Sequence, residues 1–163
     1  MRSIFIILLL VVSWISEEIE GFRNYKWGDS SDKLGKVKGI DKNVNEKYFV
    51  CVKEKEQLMV GDVKLNDIQY VFFDNKLYAV YMPFSGQDNL LKIKKAFQSK
   101  YQAKWFQLNP YLEDYIYTDN NSAISIKCDS IYKKCYAYMS NKKLSNERDK
   151  YADNVAKKGA KDL

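Results

Sequence analysis

From residue 47 to residue 139 the chain consists mainly of short apolar or aromatic runs separated by turn sequences. The runs that predict strands are 47–53, 57–60, 67–73, 77–84, 105–106, 112–118, 123–128 and 135–139. Runs of this length, bounded by Asp, Asn and Gly, are typical of β-strands joined by hairpins. Because hairpins join antiparallel strands, we expect the central part of the chain to build an antiparallel sheet.

Two segments have helical spacing instead. In segment 85–101 apolar residues recur every three or four positions along one face, while lysines occupy the outside. In segment 29–38, either Asp29 or Ser30 supplies a helix cap, and Gly39 supplies a stop. The sequence therefore predicts one helix before the first group of strands and one before the second group.

These elements divide the chain into two consecutive units, residues 25–84 and 85–140, each with one helix and about three strands. The predicted fold is α+β in the order α-βββ-α-βββ, with the helices packed on one face of an antiparallel sheet. Three parts are expected. These are a signal peptide at 1–20, a single α+β domain at 21–144, and a polar, partly helical or frayed tail at 145–163.

The N-terminus has the pattern of a secretory signal. Arg2 gives a positive start, residues 4–15 are almost wholly apolar, and acidic residues follow from Glu17. The apolar run is shorter than the roughly 20 residues that a membrane span needs. We place cleavage between Ser13 and Gly21, with an uncleaved signal anchor as the alternative. The chain is thus expected to be exported, either periplasmic or secreted, with no stable membrane span after cleavage.

The three cysteines are compatible with export. Cys128 and Cys135 flank the segment D-S-I-Y-K-K and would lie nearly opposite each other on a hairpin, within reach of a disulfide. An oxidising compartment permits such a bond. Cys51 lies in a buried-type run, and we interpret it as a core thiol that acts as a small hydrophobe.

Three short motifs carry a resemblance. Residues 22–30 fit the phrase F-R-x-x-x-W-G-x-S, residues 72–78 fit a hairpin F-x-x-x-x-L-Y, and residues 94–101 form a helix that ends in K-Y. Over about residues 22–144 the chain resembles many uncharacterised exported bacterial proteins that share these motifs. The doubling of helix and strands is also similar, at the level of fold, to β-lactamase-inhibitory proteins and BamE-like lipoproteins with αβββ repeats. The lipid-attachment cysteine of the BamE-like group is absent here, and the resemblance implies no functional residues.

Composition removes several kinds of chemistry. The chain contains no histidine, which excludes Ser-His-Asp and Cys-His nucleophiles, His-ligated zinc and a histidine base. The adjacent carboxylates of Glu113 and Asp114 would point to opposite faces of a strand. We therefore expect no catalytic residues, no metal site and no cofactor. The alternative is an exported hydrolase that depends on carboxylates or a metal.

Aromatic residues are abundant, with 13 Tyr, 8 Phe and 3 Trp. Five of them around Asn109 and Pro110 form a candidate binding patch: Trp105, Phe106, Tyr111, Tyr115 and Tyr117. Exposed Tyr and Trp anchor protein interfaces, whereas buried ones would serve ordinary sheet packing. We predict a non-catalytic, protein-binding or envelope-associated module whose partner is another envelope or extracellular protein. An accessory structural protein without a discrete site is the further alternative.

Charge gives less information about function. The net charge is +6, and residues 142–163 contribute +3 from seven basic and four acidic residues. Because acids interrupt the basic run, we interpret this segment as a solvated surface rather than a contact for anionic polymers or lipids. A nucleic-acid partner is not expected, since export separates the chain from nucleic acid. The sequence does not fix the oligomeric state.

Overall fold

The structure, a computed structural model, describes residues 18–42, 47–129 and 131–160. Within these ranges the chain is mostly β, with twelve strands, two α-helices and one 3-10 turn. The first 17 residues, which contain most of the predicted signal peptide, lie outside the described residues.

The elements are short except near the centre of the sheet. The strands are β1 (Gly21–Phe22), β2 (Tyr25–Lys26), β3 (Val37–Lys42), β4 (Tyr48–Lys53), β5 (Met59–Val60), β6 (Val63–Lys64), β7 (Gln69–Phe73), β8 (Lys76–Ser85), β9 (Phe106–Gln107), β10 (Glu113–Thr118), β11 (Ser122–Cys128) and β12 (Lys134–Asn141). The helices are the 3-10 turn η1 (Ser31–Leu34), α1 (Gln87–Tyr101) and α2 (Lys142–Gly159). Most strands begin or end within two residues of the predicted runs.

Eight strands form one antiparallel sheet in the order β3-β4-β7-β8-β12-β11-β10-β9. The chain enters at one edge, reaches the centre at β8, crosses through α1 to the other edge at β9, and returns to pair β12 with β8. Asp74 and Asn75, with φ of 51° and 58°, form the two-residue turn between β7 and β8. Asp and Asn tolerate this left-handed conformation better than most residues, which fits the predicted hairpin at this point.

Helix α1 packs on one face of the sheet. Its buried stripe includes Leu90, Ile93 and Phe97, and these side chains join one core cluster with strand residues such as Met82 and Ile126. The predicted amphipathic helix is therefore present, and its apolar face forms much of the main core.

Helix α2 packs on the opposite face, over a smaller cluster. The ring centroid of Tyr151 lies 5.5 Å from that of Phe73, and the Arg148 guanidinium lies 5.7 Å from the Tyr78 ring centroid. No residue of α2 is buried, although Leu144 and Tyr151 are partly covered by the cluster. The contacts of α2 are therefore much shallower than those of α1.

The predicted fold class is wrong in two respects. The order α-βββ-α-βββ is not formed, because residues 29–38 build only η1 and the start of β3 instead of a helix. The helices also lie on opposite faces of the sheet, not on one. The fold is mostly β, so the αβββ repeats implied by the fold-level resemblance are likewise not found in the described residues.

Local chemistry explains the missing first helix. Gly35 has a φ of 76°, which ends the 3-10 turn after Leu34. The Asp29 carboxylate caps no helix but accepts hydrogen bonds from Lys26 N at 3.0 Å and Lys33 Nζ at 2.6 Å. Beyond Gly35 the chain pairs with β4 as an edge strand, starting at Val37. Strand pairing therefore prevailed over the weak helical spacing of this segment.

Candidate functional site

Large apolar side chains are exposed mainly at one end of the sheet. Nine such side chains are exposed in the described part of the chain, and six belong to two neighbouring hairpins: Phe106, Leu108, Tyr111, Leu112, Ile131 and Tyr132. β10 begins at Glu113 opposite Cys128, where β11 ends. The β9–β10 and β11–β12 connections therefore leave the sheet side by side. We call Leu108, Tyr111, Leu112, Ile131 and Tyr132 the apolar tip.

The first loop of the apolar tip is held by hydrogen bonds to its own backbone. Asn109 Oδ1 accepts from Tyr111 N at 2.9 Å, and Leu112 N donates to Asn109 O at 3.1 Å. The Gln107 side-chain amide donates to Leu112 O at 3.0 Å. Although its backbone is fixed in this way, the Tyr111 side chain is 92% exposed.

The second loop is also held by hydrogen bonds to its own backbone. Asp129 Oδ1 accepts hydrogen bonds from Ile131 N and Tyr132 N, both at 2.8 Å. A disulfide between Cys128 and Cys135 closes the base of the loop, as predicted. The exposed fractions of Ile131 and Tyr132 are 80% and 72%. The described apolar residues of both loops thus stand on backbone that is held by hydrogen bonds, which lowers the entropy that binding must remove.

Two members of the sequence-predicted patch pack under α1 instead. Trp105 Nε1 donates to Lys94 O at 3.3 Å, and the indole lies edge-on to Phe97 with centroids 6.4 Å apart. Tyr117 packs against the same indole at 6.3 Å and donates its hydroxyl to Tyr101 O at 3.4 Å. These aromatic contacts stabilise the α1 face of the sheet.

Tyr115 is also tied down. Its hydroxyl donates to Glu113 Oε2 at 2.6 Å, and this hydrogen bond raises the pKa of Tyr115 to about 12. The Lys94 ammonium lies 3.1 Å from the Tyr115 ring centroid, a cation–π contact. Burial in this position lowers the pKa of Lys94. The phenol of Tyr115 is therefore committed to intramolecular contacts.

The structure thus divides the predicted patch. Phe106 and Tyr111 are exposed, whereas the other three aromatic residues are half-buried against the core. Sequence reasoning missed Leu108, Leu112, Ile131 and Tyr132. The sequence does carry a signal for the second loop. Ile131 and Tyr132 are large apolar residues in a turn between two cysteines, where polar residues are usual, and this predicts their exposure.

The nearest carboxylate pair does not converge on one point. Glu113 lies on the α1 side with Tyr115, whereas Asp114 Oδ2 accepts from Lys127 Nζ at 2.8 Å. The Asp114 side chain is largely buried in this ion pair. The two carboxylates are therefore engaged by different partners.

The remaining thiol is enclosed. Cys51 is fully buried, and burial raises its pKa to about 11. A protonated, inaccessible thiol is a poor nucleophile and a poor metal ligand. Among the residues with described placement, no three His, Cys, Asp or Glu side chains are grouped so that they could hold a metal ion.

A polar groove of about 450 Å³ lies between the N-terminal hairpin and the end of α1. Its walls include Glu18, Glu20, Arg23, Tyr25, Lys100 and Tyr101. Arg23 is already engaged by the Glu56 carboxylate and by Gln57 O at 2.6 Å. The groove mixes charges of both signs, and its Arg23 and Glu20 are each engaged in an ion pair, with Glu56 and Lys26.

Neither α1 nor α2, the helices of the described chain, combines the length and apolar character needed to cross a membrane. The apolar tip holds five of the nine exposed large apolar side chains in the described part of the chain. Comparisons of the chain with models of protein families, with curated proteins and with solved structures found no match.

Proposed function

We propose that the protein is a non-catalytic, exported binding module that docks its apolar tip into an apolar cleft of another envelope or extracellular protein. The observation that carries the proposal is the grouping of five exposed apolar side chains on two adjacent loops. Exposed apolar groups cost free energy in water, and a cluster of them at one end of a soluble fold is typical of an interaction surface.

The shape of the tip favours a cleft as the partner surface. Two hairpin connections leave the end of one sheet side by side, and apolar side chains that project from such loops would be buried best by a concave partner. Tyr111 and Tyr132 supply large contact areas with few rotatable bonds, which suits them as interface anchors.

Charge at the tip favours a protein over a lipid surface. Glu113 and Asp129 lie at the strand ends of the two loops together with Lys133 and Lys134, so these charges balance. Anionic lipid surfaces attract clusters of four or more basic residues, which this end of the molecule lacks in its described residues. A mixed polar rim around an apolar centre is instead the usual composition of protein interfaces.

The test first identifies the partner protein and then measures its affinity for the wild type and the variants. A photoreactive residue at position 111 would first identify a crosslinked protein in the native exported fraction, and that protein would then be purified. The double variant Tyr111→Ser with Ile131→Ser should bind it at least about tenfold more weakly than wild type, because two anchors are lost.

The matched control replaces two exposed apolar residues far from the tip, Ile40→Ser with Val155→Ser. This control should retain wild-type affinity. Equal affinity of the two double variants would contradict the proposal. Binding to lipid vesicles that needs the tip, or self-association that needs the tip in analytical ultracentrifugation, would replace the protein partner with a membrane or a second copy.

A further inference from the structure

The segment from Glu18 to Gly28 belongs to the folded body. Ile19 is fully buried and Phe22 nearly so, and both join the main core cluster. Trp27 N donates to Glu20 O at 2.9 Å, and this bond extends the pairing of β1 with β2 by one step. The expected signal peptide, residues 1–20, would therefore include Ile19, which is a core residue of the folded domain.

Buried and partly buried hydrogen bonds fix the backbone of Ile19. Its N–H donates to Asp119 Oδ2 at 2.7 Å, and its carbonyl accepts from the fully buried Ser122 hydroxyl at 2.7 Å. The Trp27 indole N–H reaches both Ser122 Oγ at 2.8 Å and Ile19 O at 3.0 Å. Removing Ile19 would take away the acceptor of the buried Ser122 hydroxyl and one of the two acceptors of the Trp27 indole, which destabilises a fold.

Glu18 is held as well. Its two carboxylate oxygens accept hydrogen bonds from the side-chain amides of Asn120, at 2.8 Å, and Asn121, at 2.6 Å. Both amides belong to the turn between β10 and β11, next to Asp119 and Ser122. One turn of the sheet thus binds two consecutive residues of the N-terminal segment.

We propose that the leader is removed N-terminal to Glu18, so that the mature protein keeps Ile19 as a core residue. This inference rests on the export part of the proposed function. Two bonds in the expected interval follow a small residue, Ser13–Trp14 and Ser16–Glu17. The Ser13–Trp14 bond is favoured because the third residue before it is Val11. The third residue before the Ser16–Glu17 bond is the bulkier Trp14.

The reaction is peptide-bond hydrolysis by a leader peptidase. The C–N bond after the serine breaks, the hydroxyl of water joins the serine carbonyl, and the new amine takes the proton. A cut after Ile19 or Glu20 would remove a fully buried side chain from the product. A cut after Glu18 would remove the carboxylate that Asn120 and Asn121 bind.

The test is the intact mass of the exported protein. The full chain is expressed with its own leader in a secretion-competent host and recovered from the exported fraction. The expected mass is that of a chain beginning at Trp14 or Glu17. A chain beginning at Ile19 or any later residue, or one that retains the leader, would overturn the proposal. These results concern only the N-terminus, so they are independent of the binding test at Tyr111 and Ile131.

A second measurement tests the premise. The mature form of the Ile19→Ala variant should melt about 10 °C below wild type, because a buried isoleucine is replaced by a cavity. Asn24→Ala, an exposed position in the same hairpin, is the matched control and should melt at the wild-type temperature. Equal melting temperatures for the two variants would show that Ile19 is not a core residue and would overturn the inference.

Discussion

Cys128 and Cys135 stand directly opposite each other on β11 and β12, with their Cα atoms 4.0 Å apart and their sulfurs bonded. This bond closes the loop that carries Ile131 and Tyr132. Asp129 fixes the same loop from within, through two backbone hydrogen bonds. The half of the apolar tip formed by this loop is therefore braced both covalently and by hydrogen bonds.

Breaking the disulfide should lower the stability of the fold. The Cys128→Ser with Cys135→Ser variant should lose about 2 kcal/mol of unfolding free energy, as expected for a small closed loop. Urea unfolding measures this loss, and intact mass with and without reductant establishes the bond in wild type. Two free thiols at these positions in protein from the oxidising compartment would contradict the account.

Cys51 should behave as an enclosed thiol. Because burial raises its pKa to about 11, the native protein should not react with a thiol reagent at mildly alkaline pH, whereas the denatured chain should. The raised pKa also means that its contribution to stability declines as pH rises from about 9 towards 11. Rapid modification of Cys51 in the native state would contradict its enclosure.

Ser122 should contribute measurably through its hydroxyl. Ser122→Ala leaves Ile19 O with one donor fewer and the Trp27 indole with one acceptor fewer, which should cost about 1–2 kcal/mol of unfolding free energy. Ser125→Ala, in the same strand but half-exposed, should change stability far less. Similar losses in both variants, measured by urea unfolding, would show that the buried contacts of Ser122 have no special weight.

Helix α2 should open more readily than α1. Since no residue of α2 is buried, its amide protons should exchange with solvent faster than those of α1, which buries a stripe of four residues. Hydrogen exchange followed by mass spectrometry measures this difference. Equal protection of the two helices would mean that the contact between Tyr151 and Phe73 holds α2 much more firmly than its burial indicates.

Eight of the twelve described strands, β4, β5 and β7–β12, and helix α1 could be predicted because their patterns are local. Alternating apolar runs and the Asp74–Asn75 turn specify hairpins without reference to the rest of the chain. The structure of residues 29–38 could not be predicted in this way, because β3 forms by pairing with β4, which lies outside this segment. The sheet face on which α2 packs could not be predicted either. The apolar stripe of α2 is thin and does not indicate which face of the sheet the helix contacts.

The candidate site shows the same limit. A cluster of aromatic residues between 105 and 117 was evident, but the alternation along β10 directs Tyr115 and Tyr117 towards α1. Exposure of Ile131 beside Tyr111 depends on the register that places β10 next to β11. The tip therefore combines residues from two hairpins whose proximity no local pattern contains.

The central claim, that the apolar tip is the docking surface, is tested most directly by site-specific photocrosslinking in the native exported fraction. The reactive residue is placed at position 111 in one protein and at position 40, exposed on the opposite edge strand, in another. The account predicts a discrete crosslinked protein from position 111 and none from position 40. The same crosslinked protein at equal yield from both positions, or no crosslink from position 111, would contradict it.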